Sequence, residues 1–278
     1  VDDDDMEPVG VHGKDGSMLG SLWSAASGMK AQQINIDVTA NNLANVNTHG
    51  FKKARAEFQD LMYLTLRESG TPVNSGTRTP IGSQVGMGVR SVGISRSFAQ
   101  GDYQQTDNPF DLTIEGDGFF QVQMGDGTIA YTRDGAFKKD SSGQVVTTEG
   151  YLVQPSITIP ADAGQVSISP EGIVTALVNG QQQQFGQLQL VKFLNPEGLK
   201  AMGRNLMLAT DASGQPQTFA PGEAGSSVRV LAGQLENSNV RVVEEMVNLI
   251  TAQRAYEANS KSISTSDEML SQANNLKR

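Results

Sequence analysis

The chain has 278 residues, enough for about two domains, and its 37% apolar content approaches the globular norm only when the 30 glycines are added. The absence of cysteine excludes disulfides, thiol catalysis and Cys-ligated metal centres, and two histidines, His12 and His49, leave His-rich metal sites and a Ser-His-Asp triad poorly supplied. A net charge of −9 argues against a broad basic face for nucleic acid, and no segment reads as a membrane span or as a charged-then-apolar signal peptide.

Residues 1–17 carry the acidic run Asp2 to Asp5 and several glycines without apolar periodicity, which predicts a disordered leader ahead of Met18. The run lacks the spaced pattern of a calcium loop, so a solvated tail is the better reading. From Met18 to Asn45 the residues Leu19, Leu22, Ala26, Met29, Gln33, Ile36, Ala40 and Leu43 recur in alternating three- and four-residue steps. That spacing predicts a helix packed on other helices, within an element spanning residues 18–50. Ser17 and Ser21 are its N-cap candidates, Trp23 reads as a packing anchor, and Asn45, Asn47 and Gly50 stop it.

Residues 51–90 come next. Their stretch from Tyr63 to Arg90 holds five glycines and two prolines with few large apolar side chains, predicting an extended insertion that reaches outward. Residues 91–234 then show short alternating runs at Asp111 to Glu115, Phe119 to Gln123, Gln144 to Thr148, Ser156 to Ile159 and Gln187 to Phe193. Pairs such as Asp117-Gly118, Asp126-Gly127, Asp134-Gly135, Ser142-Gly143 and Asn179-Gly180 separate them, which predicts a central antiparallel β domain. Pro196 to Met202, capped by Asn195, reads as a short helix, and Gln181 to Gln184 as a polar strand or loop edge.

Residues 235–278 form the last element. Val242, Met246, Leu249, Gln253, Tyr256, Ser260, Ile263, Asp267 and Leu270 keep the helical alternation from about Val240 to Leu276. Asn237-Ser238-Asn239 supplies cap candidates, Glu244 and Glu245 suit the positive end of the dipole, and Lys277 and Arg278 the negative end. Gln33, Ala26 and Ala40 dilute one seam, and Gln253, Ser260 and Asp267 the other, so the pair buries too little to stand alone. The neighbours it needs are the same helices in other copies. The expected class is α+β: long N- and C-terminal helices in a coiled-coil-like domain, an extended insertion and a central antiparallel β domain.

Catalytic chemistry finds no material. Gly86-x-Gly88 and Gly116-x-Gly118 are hairpin glycines rather than a dinucleotide fingerprint. Asp111 and Glu115, about 13 Å apart along a strand, read as solvent-facing carboxylates rather than a glycosidase pair. His49 reads as a loop residue with no nucleophile to serve. No catalytic residue, cofactor or metal is predicted.

The stretch Ser27-Gly28-Met29 through Ala40-Asn41-Asn42-Leu43-Ala44-Asn45-Val46-Asn47-Thr48-His49-Gly50-Phe51-Lys52 resembles the amino-terminal signature of the flagellar rod and hook family. Leu235-Glu236-Asn237-Ser238-Asn239-Val240, Glu244-Glu245-Met246-Val247 and Gln253-Arg254-Ala255-Tyr256-Glu257-Ala258-Asn259 resemble its carboxyl-terminal signature. Asn41, Asn42, Asn45, Gly50, Phe51, Asn239, Arg254 and Tyr256 carry the terminal match, while Tyr63 to Arg90 resembles the rod-specific insertion and, with Gly116-Asp117-Gly118-Phe119-Phe120-Gln121-Val122 and Tyr131-Thr132-Arg133-Asp134-Gly135, makes the resemblance nearest to the distal-rod branch of the family.

That resemblance implies a structural subunit that polymerises helically into the rigid, hollow distal rod and transmits torque from motor to hook. A proximal rod or hook-type subunit is the alternative within the family. A secreted β-domain binding module is the alternative outside it, and one tryptophan and five tyrosines furnish it poorly. Implied partners are further copies of the chain, proximal rod subunits and hook protein along the axis, the bushing rings and the type III export apparatus, with no nucleic acid and no membrane insertion. The implied location is the basal body, crossing the periplasm, after export without a cleaved leader. The expected polymerisation interface is Leu22, Met29, Ile36, Leu43, Val242, Met246, Leu249, Tyr256, Ile263 and Leu270.

Overall fold

The computed structural model describes residues 15–70, 72–74, 77–78, 80–160, 162–222 and 227–276, so most of the expected leader and the terminal Lys277-Arg278 pair lie outside it. Two long helices, α1 (Asp15–Ala44) and α2 (Val242–Leu276), enclose β structure in sequence. Neither is long and apolar enough to cross a membrane. Helix α1 begins before the expected start, so Asp15 to Ser17 are helical rather than disordered, and Ser17 and Ser21 lie inside the helix instead of capping it.

Two contacts fix how the helices run. A Cβ on Gly28 would lie 2.9 Å from Asn259 Nδ2, and Asn42 Nδ2 donates to Glu245 Oε2 at 3.1 Å. Fourteen residues separate the contacts on each helix, in opposite senses, so α1 and α2 are antiparallel. The buried positions are small or polar: Ala25, Ala31, Val38, Thr39 and Asn42 on α1, and Glu245, Ala252 and Ser266 on α2. Several of them sit beside the large residues that set the sequence period. Small side chains let two backbones approach closely, which leaves the large apolar residues directed elsewhere. Trp23, expected to anchor packing, is 68% exposed.

Compact packing divides the chain into two units, one of Val1–Ala40, Arg55–Ile94 and Met246–Arg278, the other of Asn41–Ala54 and Ser95–Glu245. Strand β1 (Ala54–Asp60) pairs with β6 (Val89–Arg96), and between them lie β2 (Tyr63–Arg67), β3 (Pro72–Asn74), β4 (Thr77–Arg78) and β5 (Ser83–Gly86). Within the segment that the sequence reads as an extended insertion, β2 pairs antiparallel with β5, Tyr63 opposite Gly86, and β3 with β4. These ladders pair part of the segment's backbone with itself. Its apolar side chains are not covered: Met62, Tyr63, Leu64, Leu66, Ile81, Val85 and Met87 are all exposed.

The second unit holds β7 (Tyr103–Gln105), β8 (Leu112–Glu115), β9 (Phe119–Gln123), β10 (Ile129–Thr132), β11 (Phe137–Lys139), β12 (Val145–Thr147) and β13 (Leu152–Gln154). It continues with β14 (Val166–Ile168), β15 (Ile173–Val178), β16 (Gln181–Gln187), β17 (Leu190–Lys192), β18 (Lys200–Gly203), β19 (Leu206–Leu208), β20 (Gln217–Phe219), β21 (Arg229–Ala232) and β22 (Gln234–Glu236). A nine-stranded sheet runs β11-β12-β13-β9-β10-β19-β18, with β17 bridging β9 and β20. Its centre is β9, where period-two alternation sends adjacent phenylalanines to opposite faces. Phe120 packs edge-on against Phe137 in one cluster, while Phe119 meets Phe98 and Phe193 in the other. A separate three-stranded antiparallel sheet has the order β14-β15-β16. The turn between β15 and β16 is Asn179-Gly180, with φ of 51° and 81°, the doubly left-handed geometry of a tight hairpin.

Four local expectations fail. Ser156 to Ile159 forms only the single bridge Gln144↔Thr158. The short helix reduces to one 3₁₀ turn, Pro196–Gly198, because Asn195 makes no side-chain cap and donates to Ala212 C=O instead, and the chain at once enters β18. Asp111 is buried rather than solvent-facing, since Asn108 Nδ2 donates to its carboxylate at 2.8 Å. The Asn237-Ser238-Asn239 run does not cap α2, because the Asn239 side chain bonds to distant backbone.

Candidate functional site

The motif residues from Asn41 to Phe51 meet Asn239 and its neighbours in the second unit. Asn41 C=O accepts both the backbone N–H and the Nδ2 of Asn45, closing the last turn of α1. Gly50 follows at φ +68°, its N–H donating to Glu236 C=O at 2.8 Å. A Cβ there would sit 2.6 Å from Asp134 N, so only glycine fits both the angle and the space. Half-buried Phe51 leads into two lysines with different destinations.

Lys52 is 1% exposed and donates from Nζ to Glu236 Oε1 at 2.6 Å and to Ala99 C=O at 2.9 Å. Glu236, also buried, accepts the Gly101 N–H on Oε1 and Arg133 Nε on Oε2 at 2.7 Å. The remaining guanidinium N–H groups of Arg133 donate to the carbonyls of Gly118, Ile114 and Gly116. Every ion in this triad is hydrogen-bonded, the condition under which buried charge is tolerable. Burial alone would raise the Glu236 pKa, but Arg133 and Lys52 outweigh it and hold the carboxyl below its usual range. Two cations share that one anion. Burial pushes Lys52 down against the pull of Glu236, with nearby Arg133 adding to the push.

Lys53 points elsewhere, to Glu245 at 2.6 Å and Glu244 at 3.1 Å in the first turns of α2. Burial lowers its pKa, yet those carboxylates outweigh it and the net direction is upward. The Lys53 N–H donates to Asn239 Oδ1 at 2.7 Å, while Asn239 Nδ2 donates to the carbonyls of Ser97 and Ala99. Asn42 behaves as a substitute strand, its Oδ1 accepting the Ala54 N–H at 2.9 Å and its Nδ2 donating to Ala54 C=O at 2.8 Å. Asn42, Gly50 and Asn239 are therefore joining residues, whereas Asn45 bonds only within the end of α1 and the turn after it among the described residues. The sequence reading missed Lys53 altogether and missed the pairing of Lys52, Arg133 and Glu236. Their one available signal was charge lying inside otherwise apolar or Asn-rich motif segments.

The expected interface residues divide by exposure. Leu22, Met29, Ile36 and Leu43 on α1, and Leu249, Ile263 and Leu270 on α2, are half-buried. Val242 (41%), Met246 (50%) and Tyr256 (39%) are exposed, alongside Val243, Val247 and Ile250. Arg254, a motif residue, is exposed and pairs with Glu257 at 3.2 Å on the same helix. His49 lies in a turn, and its carbonyl accepts Asn205 Nδ2 at 3.2 Å. Among the described residues no group of His, Cys, Asp or Glu could hold a metal ion.

Comparison with known proteins places three family models on the chain. A flagella basal body rod protein model matches residues 22–52, a flagellar hook protein FlgE/F/G D1 domain model residues 113–176, and a flagellar basal body rod FlgEFG protein C-terminal model residues 231–276. The flagellar basal-body rod protein FlgG of Borreliella burgdorferi is 51% identical over 265 residues, covering 94% of this chain and 100% of that protein. The FlgG of Caulobacter vibrioides is 49% identical over 92% of this chain and 99% of its own length. The FlgG of Bacillus subtilis is 41% identical over 94% of this chain and 100% of its own length. Such relatives are structural components and not enzymes, and at this identity over nearly the whole length the chain belongs to the flagellar basal-body rod protein family.

Proposed function

We propose that the chain polymerises helically into the distal rod, a hollow shaft that carries torque from motor to hook. In this reading residues 18–50 and 235–278 form a coiled-coil-like polymerisation domain, residues 51–90 brace neighbouring copies, and residues 91–234 form the outer layer. The interface comprises Leu22, Met29, Ile36, Leu43, Val242, Met246, Leu249, Tyr256, Ile263 and Leu270. The observation that carries it is the inversion of the helix pair: small and polar residues are buried within one copy, whereas Trp23, Met246, Val247 and Ile250 remain exposed. Exposed apolar patches of this kind mark surfaces that other protein covers. A heterologous contact that does not close yields a helical polymer.

The finer assignments follow from that role. Proximal rod subunits and hook protein are the axial neighbours, bushing rings surround the shaft where it spans the periplasm, and the chain arrives through the type III apparatus without a cleaved leader. A hook-type subunit is the weaker reading. The flagellar hook protein FlgE of Helicobacter mustelae is 46% identical over 138 residues, but only 30% of that protein is covered. Hydrogen exchange tests the proposal: α1 and α2 exchange fast in dilute protein and become protected in filaments seen by negative-stain microscopy. End helices fully protected in a monomer overturn it.

A further inference from the structure

The sheet β14-β15-β16 ends in two strands that each have one unpaired side. Their hydrogen-bonding parity follows from bonds at the ends of the ladder. Leu177 C=O accepts the Gly164 N–H, Leu177 N–H donates to Gln165 C=O, and Ser169 N–H donates to Ile173 C=O. Residues 173, 175 and 177 of β15 therefore face β14, and residues 174, 176 and 178 face β16. With Thr175 opposite Ser167, the backbone groups of Val166 and Ile168 point away from the sheet. With Val178 opposite Gln181 and Ala176 opposite Gln183, those of Gln182 and Gln184 point away on the other side.

Each edge is open on one side, although β14 is only three residues long and the ladder to β16 carries a bulge beside Val174 and Thr175. Gln181–Gln187 contains no charge and no proline, and its first four residues are exposed. The β14 edge opens on a groove of about 580 Å³ whose far wall runs from Thr106 to Phe110, and Thr106 Oγ1 is buried there without a partner.

We infer that β16 of one copy pairs with β14 of a second copy, continuing the three-stranded sheet from subunit to subunit. This deepens the rod reading and rests on it. The occupant is a second copy because the two edges complement each other: each offers two outward backbone residues spaced by one, on opposite sides of one sheet. Strands β14 and β16 are both antiparallel to β15, so a neighbour displaced without inversion meets β16 in parallel. Gln182 N–H then donates to Val166 C=O, and Ile168 N–H donates to Gln182 C=O, the slanted pattern of a parallel pair. The contact is head to tail and never closes, as a helical polymer requires.

A cysteine-free chain makes the test direct. Basal bodies are isolated from cells whose only copy of this subunit carries both Gln182→Cys and Ser167→Cys, oxidised mildly and run on a non-reducing gel. The expected result is a ladder of disulfide-linked dimers, trimers and longer chains, with only monomer from either single variant. Monomer alone from double-variant rods, or dimers from Gln182→Cys by itself, overturns the pairing and leaves the rod reading intact. Gln182→Pro removes the outward N–H and leaves every backbone bond to β15 in place, losing there only the exposed side-chain bond to Thr175 Oγ1, so it is expected to retain its circular dichroism and to reduce rods per cell at least about tenfold. Undiminished rods from that variant also overturn the pairing. Absence of rods with the unaltered chain sinks the rod reading itself.

Discussion

The junction around Glu236 and the outer faces of α1 and α2 solve opposite problems. At the junction charged groups are buried, and each finds its partners within one copy. On the helices apolar groups are exposed, and one copy offers them nothing. A buried, fully bonded ion marks a part of the molecule that is finished on its own. An uncovered Trp23 or Val247 marks a part that is not.

Substitutions can break this contrast. Glu236→Ala strands Lys52 and Arg133 without their anion, and a loss of about 3–5 kcal/mol is expected in urea unfolding followed by circular dichroism. An unchanged midpoint would mean the triad adds nothing. Acid acts on the same group. Because the folded carboxyl is held below its usual 4.5, the unfolded chain binds the proton first, so stability is full above that value and falls as pH drops through the folded one. Unfolding midpoints measured from pH 7 to 2 should show the fall, and Glu236→Gln should flatten it.

Gly28→Leu forces a side chain against Asn259, with an expected cost of about 1–3 kcal/mol confined to the helix pair. In assembled filaments, where the helices are protected, hydrogen exchange should rise in α1 and α2 and stay level in β8 to β22. The smallest effect on a lone chain is Trp23→Ala, expected within about 0.5 kcal/mol of the original. The same substitution should lower filament yield in sedimentation, which sharpens the contrast between a finished region and an unfinished one.

Helix existence and extent were legible, because the three- and four-residue spacing of Leu22, Met29, Ile36 and Leu43 survives in α1. Which face meets the chain's own partner was not. Large apolar residues set the visible period, whereas Ala25, Gly28, Ala252 and Asn259 do the intrachain packing and carry no hydrophobic signal. Asn179-Gly180 was readable as a turn since the dipeptide itself suits positive φ. Asp134-Gly135 was readable as a turn as well, but what demands glycine there is Leu112 C=O pressing on the place a Cβ would occupy, a contact no local pattern encodes. The junction escaped for the same reason. Asn42, Gly50 and Asn239 stood out as motif residues, but the partners that give Lys52 and Arg133 a purpose lie 184 and 103 residues away.

Those separations have a consequence for how a copy becomes usable. Asn42 waits for Glu245 across 203 residues, and Lys52 for Glu236 across 184. Such long-range ties close late, after most of the loop entropy has been spent. A chain broken off before Glu236 would keep nearly all its strands yet hold two cations face to face with no counter-ion between them. The knot at the root of α1 thus works as a completeness check, tightened only in a molecule whose last segment is present.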